Sequence, residues 1–199
     1  MLARGLEGRE QPVYVLADEV YRELYYTPEP PRSIAGWHEH SLIAGSLSKS
    51  NGLTGLRLGW LVGPREVVAA AVKVHQFVNT AASTYSQRVA MELFREPGRL
   101  EEHRPWYAEA RRALLAAAAR SGVSLVEPEG AFYALARLPD ALAADSVVAA
   151  ERLLDEQRVV TVPGRAFGES GEGWLRLSWA GPHEAVEEGL RRIALFFRG

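Results

Sequence analysis

The stretch from Ser46 to Trp60, Ser-Leu-Ser-Lys-Ser-Asn-Gly-Leu-Thr-Gly-Leu-Arg-Leu-Gly-Trp, constrains this chain more than any other part of it. It follows the short apolar run Ser41-Leu42-Ile43-Ala44 directly, so one amine stands among hydroxyls, glycines and an arginine at the end of an expected strand. A lysine at the end of a buried strand loses solvation, which lowers its pKa and makes the neutral, nucleophilic amine accessible near neutral pH. Such an amine condenses with aldehydes. Ser46 and Arg57 can hold a dianionic phosphate beside it, the arginine through its planar fork. Taken alone, a lysine in a glycine-rich turn is more often a solvated residue.

The surrounding pattern predicts an α/β fold. Val13-Tyr14-Val15-Leu16-Ala17, ending in Asp18-Glu19, reads as a strand buried on both faces, as in a parallel sheet covered by helices. Leu56 to Gly63 reads as a third strand, stopped by Pro64. A helix is expected from Pro64, with Glu66 near its positive end and Val67, Val68, Ala71 and Val74 on one face. Ser86 to Phe94 is expected to be helical, as is a long segment from about Leu100 to Arg120 with Gly122 as its stop. Leu2 to Gln11 resembles the end of a helix.

Beyond residue 121 the texture alternates: Val123 to Val126, Ala131 to Leu135, a helix from Ser146 to Gln157, Val159 to Val162, a loop from Pro163 to Gly173, a strand from Trp174 to Trp179 and a closing helix from Pro182 to Phe197. Two domains follow from this. The first covers residues 1–120, with a mixed, mostly parallel sheet and its connecting helix; a small α/β lobe covers 121–199.

Composition narrows the function classes. A net charge of -2 leaves no basic footprint for nucleic acid or an anionic membrane. The lack of any cysteine excludes disulfides, thiolate metal sites and a cysteine nucleophile, and suits a reducing compartment. With no apolar run of spanning length and no signal-peptide opening at Met1-Leu2-Ala3-Arg4-Gly5, a cytoplasmic protein is expected.

Asp18 and, three residues on, Tyr21 lie beyond the carboxyl end of the first strand, where α/β folds bind ligands. A carboxylate there can keep a pyridine nitrogen protonated, and a tyrosine can donate to a phenolate oxygen on the same ring. An N-cap for Asp18 and plain packing for Tyr21 are the alternatives.

In their order, Ala17-Asp18-Glu19-Val20-Tyr21, Ser46-Leu47-Ser48-Lys49, Gly55-Leu56-Arg57-Leu58-Gly59-Trp60, Glu129-Gly130-Ala131-Phe132-Tyr133, Pro163 to Gly171 and Leu175-Arg176-Leu177-Ser178 resemble the class I/II aminotransferases, fold-type I enzymes dependent on pyridoxal 5'-phosphate. The resemblance implies that Lys49 carries the cofactor as a Schiff base and then shuttles the substrate proton. By the same resemblance Asp18 pairs with the ring nitrogen, Tyr21 with the 3'-oxygen, and Ser46, Ser48 and Arg57 with the phosphate. Arg176 grips the substrate α-carboxylate, which orients the reacting C–H bond.

The partners implied are an amino acid and a 2-oxo acid, with a homodimer as the assembly. Family members are about twice this length, so the chain resembles a C-terminal half, with the glycine-rich phosphate turn and the ring-stacking aromatic expected upstream of Met1. The first strand then lacks sheet neighbours and exposes apolar surface, which favours self-association.

Cofactor anchors alone do not choose the bond that breaks, so a lyase or decarboxylase, or a non-catalytic cofactor-binding domain, stays open. Around Gln76 to Gln87 no basic residue awaits a distal carboxylate; Arg88 falls in the following helix, which leans toward neutral or aromatic substrates. His38-Glu39-His40 offers two metal ligands but lacks a third, so no metal site is expected. Ser46 and Lys49 can also form a hydrolytic pair, but nothing supplies an oxyanion hole.

Overall fold

A computed structural model of the chain describes residues 11–199, so the helix end expected at 2–11 lies almost wholly outside the described residues. The chain divides into two compact units, one up to Arg104 and one from Pro105. The long helix, with its buried residues Ala110, Leu114, Ala117 and Ala118, falls in the second of these units, so the division lies ahead of the helix rather than after it.

In the first unit, strands β1 (Val15–Asp18), β2 (Ser41–Ser46) and β3 (Gly59–Val62) form a three-stranded mixed sheet in the order β1-β2-β3. β1 runs parallel to β2 and β3 runs antiparallel to it. The crossover between β1 and β2 passes through a short 3₁₀ turn, Ile34–Gly36, capped by Ser33. β2, the central strand, buries Ser41, Leu42 and Gly45. The indole of Trp60 lies across Gly45, its register partner, so closely that a Cβ at 45 has no room.

Two strand expectations change. β1 is not buried on both faces: it alternates, with Leu16 66% exposed, because it stands at one end of the sheet order. The third strand begins only at Gly59, because a 3₁₀ turn at Thr54–Leu56 and a left-handed Arg57 (φ 48) carry the chain out of the ladder before that point.

Helix α1 (Arg65–Asn79) begins after Pro64, as the proline signal implies, and has no buried residue. Of its expected apolar face, Val67, Val68 and Ala71 are half-buried and Val74 is exposed. Helix α2 (Thr84–Arg95) starts at a Ser83 cap and sets Phe94 edge-on against Trp60, with ring centroids 5.2 Å apart.

The second unit holds α3 (Arg104–Ser121), β4 (Tyr133–Arg137), α4 (Ser146–Gln157), β5 (Val162–Pro163), β6 (Trp174–Ser178) and α5 (His183–Arg198). The helix start moves from Leu100 to Arg104 because Pro97–Leu100 forms a separate 3₁₀ turn; Gly122, at φ 75, ends α3 as expected. The strands form a second, antiparallel sheet ordered β4-β6-β5. Ala134 and Ala136 on β4 and Leu175 and Leu177 on β6 are buried, and Leu114, Leu153, Leu190 and Ile193 bring the apolar faces of α3, α4 and α5 into the same core. Period-2 alternation places Tyr133, Leu135 and Arg176 on the other sheet face.

Val123 to Val126 makes a single bridge, Leu125 to Ala136, rather than a strand. Of the expected strand Val159 to Val162 only Val162 pairs with β6; Pro163, expected in the loop, pairs beside it and, lacking an N–H, suits the sheet edge it occupies.

Candidate active site

Because β1 and β2 are parallel, their carboxyl ends lie side by side. Asp18 pairs with Ala44, and two residues further along β2 Ser46 stands opposite Gly59, where β3 begins. Three segments meet at this end of the sheet: the turn after Asp18, the loop after Ser46, and the residues leading into Gly59. Asp18, Tyr21, Ser46, Ser48, Lys49 and Arg57 all lie on these segments. This is the sheet end at which α/β folds take up ligands.

Lys49 is half-buried rather than enclosed. Its Nζ lies 5.9 Å from the centroid of the Tyr21 ring, which brings together two residues far apart in sequence. The loop around it is pinned by Leu47, which is fully buried, and by bonds from Leu53 N–H to the Leu47 carbonyl (3.1 Å) and from Gly52 N–H to the Lys49 carbonyl (3.2 Å).

Ser46 Oγ accepts the Ser48 amide at 2.9 Å and lies 2.8 Å from Ser48 Oγ and 3.0 Å from the Leu58 carbonyl. The two serines expected to share a phosphate are therefore one hydrogen-bonded pair tied to the strand opposite. Asp18 is exposed, and its Oδ1 accepts the Val20 amide at 3.3 Å, which shapes the turn leading to Tyr21. Arg57 is exposed and gives one donor to the Thr54 carbonyl at 2.9 Å, within its own loop. The remaining donors of its fork are suited to an anion.

Residues not singled out in the sequence hold this frame. Glu19 accepts from Ser33 Oγ (2.8 Å) and the Ile34 amide (3.3 Å) and pairs with Arg22 (3.3 Å). Ser50, buried, donates to Glu23, and Asn51, also buried, donates to the Arg99 carbonyl at 3.0 Å. Ser86 on α2 donates to the Leu56 carbonyl at 2.8 Å. Polar residues crowded into a glycine-rich loop are the one signal by which Ser50 and Asn51 could be found; nothing local points to Glu23.

Arg176 stands in the second unit on the central strand β6, flanked by β4 and β5. Its Cζ lies 4.4 Å from the Tyr133 ring centroid and 4.8 Å from that of Phe167, so aromatic rings from both flanking segments support the guanidinium. Among the described residues it makes no ion pair. Behind it, Tyr107 stacks on Phe132 at 5.5 Å, and burial first, then the charge of Tyr133, pushes the Tyr107 hydroxyl above its ordinary pKa.

Arg88 lies on the exposed side of α2. His38 bonds the Val13 carbonyl through Nε2 at 2.8 Å, and His40 stacks on Tyr14 at 5.2 Å, so both imidazoles serve the neighbouring backbone and ring. No helix of the described residues is long and apolar enough to cross a membrane.

A sequence profile of the family described as aminotransferase class I and II matches residues 8–193. The chain is 34% identical to a probable N-acetyl-LL-diaminopimelate aminotransferase of Bacillus subtilis over 98% of its own length and 49% of that protein's. It is 36% identical to an aspartate/prephenate aminotransferase of Thermus thermophilus over 93% of its length and 48% of the relative's. Among solved structures, an aromatic aminotransferase from Pyrococcus horikoshii superposes with a TM-score of 0.89 at 30% identity, covering 99% of this chain and 54% of that one. The chain thus spans about half the length of the curated relatives it matches.

Proposed function

The chain belongs to the class I and II aminotransferases, and from that premise we propose that it carries the lysine-bearing part of a pyridoxal 5'-phosphate site serving amino transfer between an amino acid and a 2-oxo acid. The observation that carries this reading is the convergence of Lys49, Tyr21, Asp18 and the Ser46–Ser48 pair at the carboxyl end of one parallel strand pair. An amine, paired hydroxyls, a guanidinium and a carboxylate form a donor set that fits a phosphorylated aldehyde with a basic ring nitrogen. Arg57 adds to the fit: its left-handed backbone is an arrangement that a fold retains where something depends on it.

The cofactor, when bound, supplies an electron sink for charge developing at the substrate α-carbon. Lys49 Nζ is the amine that would hold the aldehyde, with loss of water, and, once free again, would move the substrate α-proton. Asp18 would hold a proton on a ring nitrogen, and Tyr21 would donate its hydroxyl to a ring oxygen. Ser46, Ser48 and Arg57 would hold the phosphate and so limit drift of the ring. Arg176 offers its N–H edge to a carboxylate, with Tyr133 and Phe167 restricting its swing. The exposed position of Arg88 supports a neutral or aromatic side chain on the substrate. A second copy of the chain is the proposed assembly.

The test is a half-reaction. With pyridoxal phosphate and an amino acid in excess, the chain converts the cofactor to its amine form and releases one 2-oxo acid per site. Lys49→Ala abolishes both. Carbon dioxide in place of the oxo acid assigns a decarboxylase, and a Lys49→Ala variant as active as the unaltered chain sinks the proposal.

A further inference from the structure

We infer that Glu23 and Ser50 form a latch that positions Lys49, an inference that rests on the reading of Lys49 as the amine that takes up the cofactor aldehyde. Ser50 directly follows Lys49 and is 1% exposed. Its single hydroxyl proton meets two acceptors, Glu23 Oε2 at 2.7 Å and the Val20 carbonyl at 3.3 Å. Both belong to the turn after β1, the turn that opens at Asp18 and carries Tyr21. The shorter bond goes to a carboxylate, the stronger class of acceptor. A hydroxyl so deeply buried has no water to replace these partners, so the loop is held to one place against the turn.

Both sides of the latch are otherwise rigid. On the loop, the Ser48 amide is held by Ser46 Oγ at 2.9 Å and Asn51 Nδ2 by the Arg99 carbonyl at 3.0 Å, so Lys49 has an anchor before it and two after it. On the turn, Leu24 is 1% exposed, its amide bonds the Tyr21 carbonyl at 2.9 Å, and the Arg22 amide bonds the Glu19 carbonyl at 3.0 Å. The lysine side chain itself is only half-buried, and its Nζ lies as far as 5.9 Å from the centroid of the Tyr21 ring. What fixes its starting point is therefore its backbone, and the Ser50 hydroxyl links that backbone to the turn bearing Asp18 and Tyr21. Glu23 and Ser50 are positioning residues: neither gives an atom to the reaction, and both act through Lys49.

The chain contains two lysines, and the second, Lys73, is exposed on α1, remote in sequence from the latch and so an internal control. The experiment treats the full chain with limiting pyridoxal phosphate, reduces with borohydride, and measures the ratio of pyridoxyl label at Lys49 to that at Lys73 by peptide mass. The unaltered chain favours Lys49 by at least about tenfold. Ser50→Ala and Glu23→Ala each lower the ratio by about tenfold, the scale expected when a reacting group is displaced by a fraction of an ångström. Glu23→Gln keeps an acceptor for the Ser50 hydroxyl and holds the ratio within about twofold.

Thermal melting by circular dichroism certifies the fold of each variant, and Glu23→Ala, at a half-buried site, carries the test if Ser50→Ala does not fold. Unchanged ratios in both alanine variants, or a Glu23→Gln ratio as low as that of Glu23→Ala, overturn the latch while leaving Lys49 in its role. A ratio near one in the unaltered chain overturns the reading of Lys49, and the latch with it.

Discussion

Arg57 combines a side chain suited to phosphate with a backbone that its type disfavours. Its φ of 48 and ψ of 43 place it in the left-handed region, which costs a residue with a Cβ about 1–2 kcal/mol. Arg57→Gly removes that cost but adds roughly 0.4–1 kcal/mol of unfolded-state entropy, so it ends up about 0.5–1 kcal/mol more stable than Arg57→Ala. Urea midpoints of the two variants measure the difference; equal midpoints show that the left-handed turn stores no strain. Phosphate competition separates function from strain, because both variants lose the guanidinium and bind equally weakly. At this scale the sequence was informative about chemistry and silent about support. Lys49, Ser46 and Arg57 stand out as candidates because their types sit in one uninterrupted stretch. The Glu23–Ser50 bond was not, because it joins positions 27 residues apart and exists only once β1 and β2 are paired. Trp60 over Gly45 was hidden for the same reason: a cross-strand contact depends on register.

Helix α5 carries the clearest pH dependence. Glu188 accepts from Arg191 and Arg192, each contact at 2.7 Å, and these guanidinium bonds, Arg191 first, hold its carboxyl at about 2, well below the ordinary 4.5. A depressed folded pKa stabilises the fold fully above the unfolded value and progressively less as pH falls from about 4.5 toward 2. Glu188→Gln therefore lowers the melting temperature at neutral pH slightly and flattens its decline below pH 4.5. An identical acid slope in the variant removes Glu188 as the cause. Glu172 adds to the same slope: its carboxylate bonds the Ser146 amide at 2.6 Å at the start of α4 and is likewise lowered, by Ser146 first. Helices were the elements best read in advance. Ser146–Gln157 was placed at both ends and α5 to within a residue, because caps, prolines and periodicity are local. Strands were overextended at Leu56 and Val159, since a ladder ends where its partner does and the partner lies elsewhere in the chain. The α3 boundary shows a third kind of gap: the helix was found, but the unit it packs into depends on tertiary burial of Leu114 and its neighbours.

At the scale of the whole chain, the fact to reconcile is that it spans about half the length of its relatives while presenting uncovered apolar surface in the first unit. α1 has no buried residue, although Val74, Phe77 and Val78 form an apolar edge along it; Phe77 is 90% exposed. Leu16 on β1 is exposed as well. Single exposed hydrophobics are ordinary, but several on one amphipathic helix exceed what a surface carries without an occupant. The expected occupant is a second copy, since any concentrated preparation supplies it. Sedimentation velocity then shows an apparent mass that rises with concentration, and Phe77→Glu shifts the dissociation constant upward by about tenfold, as charging a buried contact costs at least about 1.4 kcal/mol. Because Phe77 makes little contact within its own chain, the same substitution leaves the melting temperature of the dilute protein unchanged. A chain that sediments as a monomer at every concentration contradicts this, and so does a Phe77→Glu variant that associates as strongly as the original.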